Sequence, residues 1–292
     1  RPAPPVALRP RRLSVTEIET WMRDPYAIYA RHVLRLEPLA ELEEGADASD
    51  YGLIVHDALE RWVRAHGVAW PDDAEHRLAA LFMTCLAERK LRPALRAWWE
   101  PRLLRIAQWV AEAETRRRDQ NGPPHAILTE ARGRVVMPAP AGPFTLVGRA
   151  DRIDMDAQGG VNVQDYKTGM LPATRDVLAG WSPQLPLEAA MILQGGFEAV
   201  PADCSIGALT YWRLTGGADP GQEVSITPRE VASLTKLAEQ TWQNLLERIA
   251  AYDDPTRPYL SHPHPGQEPR FADYARLARV PEWSAARTEN DA

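Results

Sequence analysis

Cysteine is scarce in this 292-residue sequence, which contains only Cys85 and Cys204. Two cysteines far apart in sequence predict neither a disulfide framework nor a cysteine-rich metal site, and they favour a reducing, cytoplasmic environment. No apolar run approaches the roughly 20 residues of a membrane helix. A basic segment followed by an apolar one, typical of a signal peptide, is also absent. We therefore expect no membrane association.

The sequence also lacks an excess of positive charge, since its formal net charge is -6. Such a total excludes nucleic-acid binding through overall charge alone, but local basic patches can coexist with it. A G-x-x-x-x-G-K-[ST] phosphate loop is absent as well, so this segment carries no ATPase motor of its own. The charge therefore leaves open both a nucleic-acid role and the lack of one.

The sequence divides into four parts by composition. Residues 1–13 are rich in Pro and Arg, which is typical of a linker inside a longer polypeptide. Residues 14–121 are predicted to be the N-terminal helical part, opened by the capping box Ser14–Glu17. Within it, Gly52–His66 has the apolar pattern of an amphipathic helix. Residues 253–292 form a tail rich in Pro, His and charge, and we expect this tail to pack loosely.

The fourth part, residues 122–252, is predicted to contain the sheet. Three strands joined by tight connections are followed by a helix, another strand and a long helix. The predicted strands are Ala126–Met137, Phe144–Met155, Val161–Tyr166 and Ile206–Leu214, with a helix around 183–195. This order indicates an α/β or α+β fold with one central sheet.

Two carboxylates and a lysine stand out in the second and third strands. Side chains alternate along a strand, so Asp165 and Lys167 share one face. If the connection is a simple hairpin, Ile153 lies opposite Val163 and Asp151 lies opposite Asp165. Directly opposed residues have Cβ atoms about 4.5–5.5 Å apart. The sequence therefore predicts two adjacent carboxylates with a lysine beside them.

Adjacent carboxylates repel each other unless a cation lies between them, and Mg2+ prefers oxygen ligands. A metal lowers the pKa of bound water and offsets charge on a phosphodiester transition state, and Lys167 can add positive charge there. The alternative is a surface salt bridge between Asp165 and Lys167, with Asp151 solvated. Apolar flanking residues favour burial, which makes unpaired charges costly. The residues alone leave both interpretations open.

A family resemblance now becomes specific. The sequence has GRADRID at 148–154, QDYKTG at 164–169, Gln184 in QLPL, and the helical motif G-x-x-x-H at Gly52–His56. These motifs, in this order, resemble the RecB-like branch of the PD-(D/E)xK nuclease superfamily. Within it, the sequence most resembles the C-terminal nuclease domain of AddB-type helicase–nuclease subunits. The resemblance implies a restriction-endonuclease-like core, a central mixed sheet flanked by helices, with N-terminal and C-terminal helical elaborations.

The resemblance also implies roles for individual residues. Asp151 and Asp165 would bind Mg2+, for which Mn2+ can substitute, with the backbone carbonyl of Tyr166 and with His56 as a further ligand. Lys167 would be the catalytic lysine, and Gln184 would contact DNA or water. A further candidate is Glu130, which resembles the acidic residue of the preceding strand.

Two departures from the family pattern carry expectations of their own. Glu188 stands four positions after the glutamine, where family members often have an aromatic residue, so a stacking contact is in doubt. Asp24 stands where many AddB-type domains have the first of four cluster-binding cysteines. Two cysteines cannot hold an iron–sulfur cluster, so we predict none. Instead, we expect the early and late helices to dock through apolar residues, with Trp21, Trp242 and Trp283 as candidates.

The sequence thus supports three hypotheses. The first is a magnesium-dependent DNA exonuclease domain of an AddAB-type enzyme in double-strand break repair and recombination, with DNA and an AddA-type helicase subunit as partners. The second is a stand-alone RecB-like or Cas4-like exonuclease. The third is a DNA-binding module that keeps the fold but has lost catalysis. Binding of magnesium that depends on Asp151 and Asp165 distinguishes the third from the first two.

Overall fold

One mixed sheet organises the structure, a computed structural model that describes residues 1–37, 48–227, 233–264, 266–267, 269, 272–280 and 282. Among these residues, six strands belong to the sheet: β1 (Arg12–Ser14), β2 (Ala126–Met137), β3 (Phe144–Met155), β4 (Gly160–Lys167), β5 (Ser205–Leu214) and β6 (Gly221–Ser225). The α-helices are α1 (Val15–Arg23), α2 (Pro25–Ile28), α3 (Ala48–His66), α4 (Ala74–Ala87), α5 (Pro93–Asn121), α6 (Thr174–Leu178), α7 (Gln184–Leu193) and α8 (Leu234–Asp253).

Strand β3 is the centre of this sheet. β2 pairs with it antiparallel along its whole length. On the opposite edge, β1 pairs in parallel with residues 145–147, and β4 pairs antiparallel with residues 152–155. In the described part of the chain, residues 148–151 have no strand partner on that edge. The sheet therefore has a gap beside the GRAD segment. β4 continues the sheet through parallel pairing with β5, and β6 closes it by antiparallel pairing with β5.

Helices cover both faces of the sheet. On one face, α1, α7 and α8 pack over a core that includes Ile18, Leu187 and Leu245. On the other face, α3, α4 and α5 pack with Tyr166 and Trp212 from the sheet. Parallel strands buried on both faces carry apolar residues on both sides. The predicted α/β class, with a central mixed sheet flanked by helices, is confirmed, and it agrees with a restriction-endonuclease-like fold.

The first helix begins as its sequence predicts. The Ser14 hydroxyl accepts a hydrogen bond from the Glu17 amide at 3.2 Å, and the Glu17 carboxylate accepts one from the Ser14 amide at 2.8 Å. This reciprocal capping satisfies two amides that a helix start would otherwise leave unpaired. The cap fixes the direction in which α1 leaves β1, next to the gap in the sheet.

The first thirteen residues differ from the predicted linker. Arg9 is 4% exposed, and its guanidinium donates to the carbonyl oxygens of Tyr252 and Asp254 at 2.7 and 2.9 Å. The amide of Tyr259 donates to the carbonyl of Pro2 at 2.8 Å, and the Tyr259 side chain is buried. The start of the chain and the described residues after α8 therefore hold each other against the core. A composition rich in Pro and Arg could not reveal these contacts, because their partners lie far away in sequence.

The early and late helices dock through aromatic residues. The rings of Trp21 on α1 and Tyr252 on α8 meet edge to face, with centroids 4.8 Å apart, and Trp242 is buried in the same core. Trp283 lies outside the described residues. Asp24, at the end of α1, is 1% exposed. Burial raises the pKa of Asp24, while His262 and the Ser261 hydroxyl oppose that rise. The apolar docking that the sequence predicts is present for Trp21 and Trp242.

Candidate metal and catalytic site

The GRAD and DYK segments meet at the gap in the sheet. The predicted pairing of Ile153 with Val163 is confirmed, and the ladder ends one step later, at Arg152 and Gln164. The next pair, Asp151 and Asp165, continues the register but is not bonded as a ladder pair. Instead, Asp151 Oδ2 accepts a hydrogen bond from the Tyr166 amide at 2.8 Å. The Asp151 carboxylate thus takes the place of a backbone carbonyl as the acceptor for the Tyr166 amide. The backbone pairing of β3 with β4 ends at this point.

Glu130 on β2 lies across from Asp151 on the other edge of β3. Its neighbours Thr129 and Ala131 pair with Arg152 and Ala150, so the Pro-rich loop introduces no shift in register. Glu130 itself has a φ of 50°, a left-handed conformation that is uncommon outside glycine and is frequent at functional sites. The backbone of β2 is therefore distorted at the position opposite Asp151.

His56 approaches the same place from helix α3. Its Nε2 donates to the Tyr166 carbonyl oxygen at 3.0 Å, and its Nδ1 lies 3.4 Å from Asp151 Oδ1. Burial lowers the pKa of His56, but the hydrogen bond and charge of Asp151 outweigh it, so the pKa is raised overall. Gly52, one helical turn earlier, explains the close approach. A Cβ at this position would lie 3.2 Å from Thr168 Oγ1, a tight contact that would require a shift of a few tenths of an ångström.

Three side chains lie within reach of one metal ion. Among the described residues, one group of at least three His, Cys, Asp or Glu side chains places its ligand atoms within 4.8 Å of one another. That group is His56, Glu130 and Asp151. Burial first, and the charge of Asp151 second, raise the pKa of Glu130. This excess of negative charge, together with oxygen and imidazole donors, suits a divalent cation. The grouping differs from the expected one, because it contains Glu130 and lacks Asp165.

Asp165 belongs to an adjoining network. Lys167 Nζ donates to Asp165 Oδ1 at 2.9 Å and to Gln184 Oε1 at 3.0 Å. The Gln184 amide donates to Asp165 Oδ1 at 2.5 Å and to Glu188 Oε1 at 3.3 Å. Asp165 is 1% exposed, and burial, opposed by Lys167 and reinforced by Asp151, raises its pKa to about 6. The structure therefore brings Asp165 and Lys167 together, as their spacing on one strand predicts, and adds Gln184 to the same network.

Glu188 is the residue of this network that the sequence singles out only as a departure from the family pattern. It is 1% exposed, and burial first, then the charge of Asp165, raises its pKa well above the usual value. In place of an exposed aromatic ring, the chain has a buried carboxyl group that accepts from Gln184. Glu188 lies one turn after Gln184 on a helix whose other residues are mostly apolar. This apolar surrounding in the sequence could have indicated that Glu188 is buried.

An open cleft reaches this network from the side of α1. It has a volume of about 950 Å³, and its walls include Lys167, Gln184, Arg23, Arg31 and Met170. Lys167 therefore lies between the buried Asp165 and this open cleft.

A second buried charge cluster supports the DYK segment from the opposite face. Arg152, 5% exposed, donates to Glu114 at 2.6 Å and to both carboxylate oxygens of Asp154. Arg117 and Arg118 on α5 also pair with Glu114. We call these residues, Glu114, Arg117, Arg118, Arg152 and Asp154, the α5 cluster. The Tyr166 side chain lies beside this cluster, where the charge of Arg152 opposes the rise in the pKa of Tyr166 that burial causes. The alternation of Arg152 and Asp154 was its signal in the sequence.

The sequence profile of the PD-(D/E)XK nuclease superfamily matches residues 12–261. This range holds every residue of the site. The chain belongs to the PD-(D/E)XK nuclease superfamily. The predicted family is thereby confirmed, and members of this superfamily are usually nucleases that use divalent metals.

Curated proteins resemble the chain over most of its length. An uncharacterised protein of Rickettsia bellii is 29% identical over 65% of this chain, and one of Rickettsia conorii is 28% identical over 64%. One subunit of the ATP-dependent helicase/deoxyribonuclease of Symbiobacterium thermophilum is 25% identical over 76% of this chain. The chain spans 22%, 23% and 21% of the length of these relatives, respectively. In the described part of the chain, no helix is long and apolar enough to cross a membrane.

Proposed function

We propose that this PD-(D/E)XK domain is a magnesium-dependent deoxyribonuclease that hydrolyses phosphodiester bonds by attack of water. The observation that carries the proposal is the position of Lys167. Its ammonium group contacts Asp165 and Gln184 on one side and opens to the cleft on the other, next to the group His56, Glu130 and Asp151.

His56, Asp151 and Glu130 would hold the metal, with Asp165 and the Tyr166 carbonyl beside them. The metal would supply Lewis acidity, which lowers the pKa of bound water and offsets charge on the phosphate. Mn2+ is expected to replace Mg2+, because both ions prefer oxygen donors.

Lys167 acts on the phosphate, where its charge stabilises the negative charge that develops during hydrolysis. Gln184 positions this lysine, because its carbonyl accepts from Nζ while its amide binds Asp165. Burial of Asp165 strengthens its attraction for Lys167, since charges interact more strongly away from water.

The biological setting that we propose is an AddAB-type helicase–nuclease in the cytoplasm, with an AddA-type helicase subunit as partner. Two observations support it. The order of motifs resembles AddB-type subunits, and the helicase/deoxyribonuclease subunit of Symbiobacterium thermophilum is among the relatives. In that setting, the domain would shorten DNA exonucleolytically during double-strand break repair and recombination.

Degradation of end-labelled linear DNA, single- and double-stranded, tests the proposal. Cleavage is measured with magnesium or with chelator for the unmodified chain and for Lys167→Ala. The matched control is Lys236→Ala, because Lys236 is exposed on α8, remote in sequence from the site. We expect magnesium-dependent cleavage that survives in the control and disappears in Lys167→Ala. Equal cleavage by all three proteins would contradict the proposed centre.

Calorimetric titration with magnesium separates a nuclease from a catalytically silent module. We expect a binding site that is lost in Asp151→Asn and kept in Asp219→Asn, a change in the exposed connection before β6. A chain that neither binds magnesium nor cleaves DNA would refute the proposed function.

A further inference from the structure

Four arginines lie on one open face of the sheet. The outer-facing positions of β1, β2 and β3 alternate with core residues such as Leu13, Leu146 and Met137. Helices cover this face over β4 and β5, but the arginines on β1, β2 and β3 are exposed. We call the four residues, Arg12, Arg132, Arg134 and Arg149, the arginine face.

The pairing of these arginines is unfavourable for the fold alone. Arg132 and Arg149 are direct cross-strand partners, and like charges in that position destabilise a sheet. Within the described part of the chain, Arg149 alone of the four has an acidic partner, Glu130, at 2.7 Å. The side chains of Arg12, Arg132 and Arg134 make no ion pair or hydrogen bond with any described residue. In a chain with a net charge of -6, these residues form a local excess of positive charge among the described residues.

The arginine face begins at the candidate metal group. Glu130, Arg132 and Arg134 follow one another at every second position of β2, so their side chains step along the strand by about 6.6 Å each. Arg149 joins the two features, because it pairs with Glu130, a member of the metal-binding group. A chain of phosphates with one phosphate at the metal would therefore continue over Arg149 and Arg132 toward Arg134.

We propose that the arginine face binds the phosphates of the nucleic-acid strand beside the bond that is hydrolysed. This inference rests on the proposed function, which supplies DNA as the occupant. Guanidinium groups match phosphate geometry and form charge-assisted hydrogen bonds with it. A row of arginines on a flat sheet reaches phosphates and not base edges, so the contact is independent of sequence. It fixes which phosphate lies at the metal.

The test compares two double variants with equal loss of charge. Arg132→Gln with Arg134→Gln removes two arginines of the face. Arg96→Gln with Arg116→Gln is the control, because both residues are exposed on α5 and make no ion pair with a described residue. Binding of a fluorescein-labelled oligothymidylate is measured by anisotropy, with chelator, over a series of salt concentrations.

Each phosphate contact contributes about 0.7 to the salt slope of single-strand binding. We therefore expect the slope to fall by about 1.4 in the face variant and to stay unchanged in the control. Arg132→Lys with Arg134→Lys keeps the charge and should restore most of the slope. An equal slope in both double variants, or no binding by the unmodified chain, would overturn the arginine face as a phosphate site. An acidic protein partner would then be the better occupant.

The two proposals fail in different ways. Lys167→Ala should lose cleavage and lower the salt slope by no more than its own phosphate contact, about 0.7. If the unmodified chain cleaves DNA but the face variant binds DNA like the control, the nuclease proposal stands and the arginine-face proposal is refuted. If the unmodified chain binds DNA through the arginine face but cleaves no DNA with magnesium, the phosphate-site proposal stands and the nuclease proposal is refuted. Unfolding midpoints of all variants exclude misfolding as the cause.

Discussion

Two clusters of buried charge meet β3 and β4, and they differ in balance. The α5 cluster sets three guanidinium groups against the carboxylates of Glu114 and Asp154. The site has the opposite composition: Lys167 and Arg149 face a larger group of acids, Glu130, Asp151, Asp165 and Glu188. Burial of charge is costly unless it is paired. A cluster in which every carboxylate is paired with a guanidinium group therefore has a structural role, and a cluster with an excess of acids is suited to bind a cation.

The largest expected loss of stability comes from removing Arg152, the cation at the centre of the α5 cluster. Arg152→Ala leaves Glu114 and Asp154 buried without their main partner, which costs about 3–5 kcal/mol. Urea unfolding measures this loss as a lower midpoint. The control Arg96→Ala, on the exposed side of α5, should stay within about 0.5 kcal/mol of the unmodified chain. Equal midpoints for the two variants would mean that the α5 cluster does not stabilise the fold.

Asp165 should behave in the opposite way. Its pKa is raised from 3.8 to about 6 in the folded state, so the folded chain binds a proton more tightly than the unfolded chain. Without metal, stability should therefore increase as the pH falls through 6 toward 4. Asp165→Asn should remove this increase.

Unfolding with chelator across this pH range measures both effects. The control is Asp219→Asn in the exposed connection before β6, which should leave the pH dependence intact. A loss of stability in Asp165→Asn as large as in Arg152→Ala would remove the distinction between the two clusters.

The third prediction concerns Glu130 and tests whether the excess of acids at the site binds a metal ion. If its carboxylate belongs to the metal-binding group, Glu130→Gln should raise the magnesium concentration needed for stabilisation by about tenfold or more. Thermal unfolding at increasing magnesium concentrations measures this. Glu239→Gln on the exposed side of α8 makes the same charge change and should leave the magnesium dependence as it is. If Glu130→Gln needs the same magnesium concentration as the unmodified chain, Glu130 pairs with Arg149 and does not bind the metal.

Arg117 provides the smallest effect. Its guanidinium lies at the rim of the α5 cluster, 3.3 Å from both Glu114 and Asp154, with 21% of the side chain exposed. Arg152 keeps these carboxylates paired, so Arg117→Gln should cost only about 1 kcal/mol in urea unfolding. A cost equal to that of Arg152→Ala would show that the cluster depends on its rim as much as on its centre.

Features that depend on local alternation could be predicted from the sequence. The bounds of β2 and β3 and the pairing of Ile153 with Val163 agree with the structure. Asp165 and Lys167 share a face because they are two residues apart on one strand, and their contact at 2.8 Å follows from that. The G-x-x-x-H spacing likewise placed Gly52 and His56 on one side of α3.

Features that depend on distant contacts could not be predicted. The left-handed backbone of Glu130 and the hydrogen bond from the Tyr166 amide to Asp151 arise only where three strands and a helix meet. For this reason the sequence did not predict that Glu130 lies with His56 and Asp151 in the candidate metal group. The burial of Arg9 has the same origin, since its partners lie at the end of α8.

The gap beside residues 148–151 has a consequence for the order in which the chain folds. Its borders are β1 and β4, which come from distant parts of the sequence, and His56 closes it over a separation of 110 residues. Contacts over such separations form slowly, because the loops between them must first be closed. We therefore expect β3 and β4, which are neighbours in sequence, to pair before the contacts of β1 and His56 complete the site. On the proposed function, hydrolytic activity would then appear late in folding and would report on completion of the native sheet.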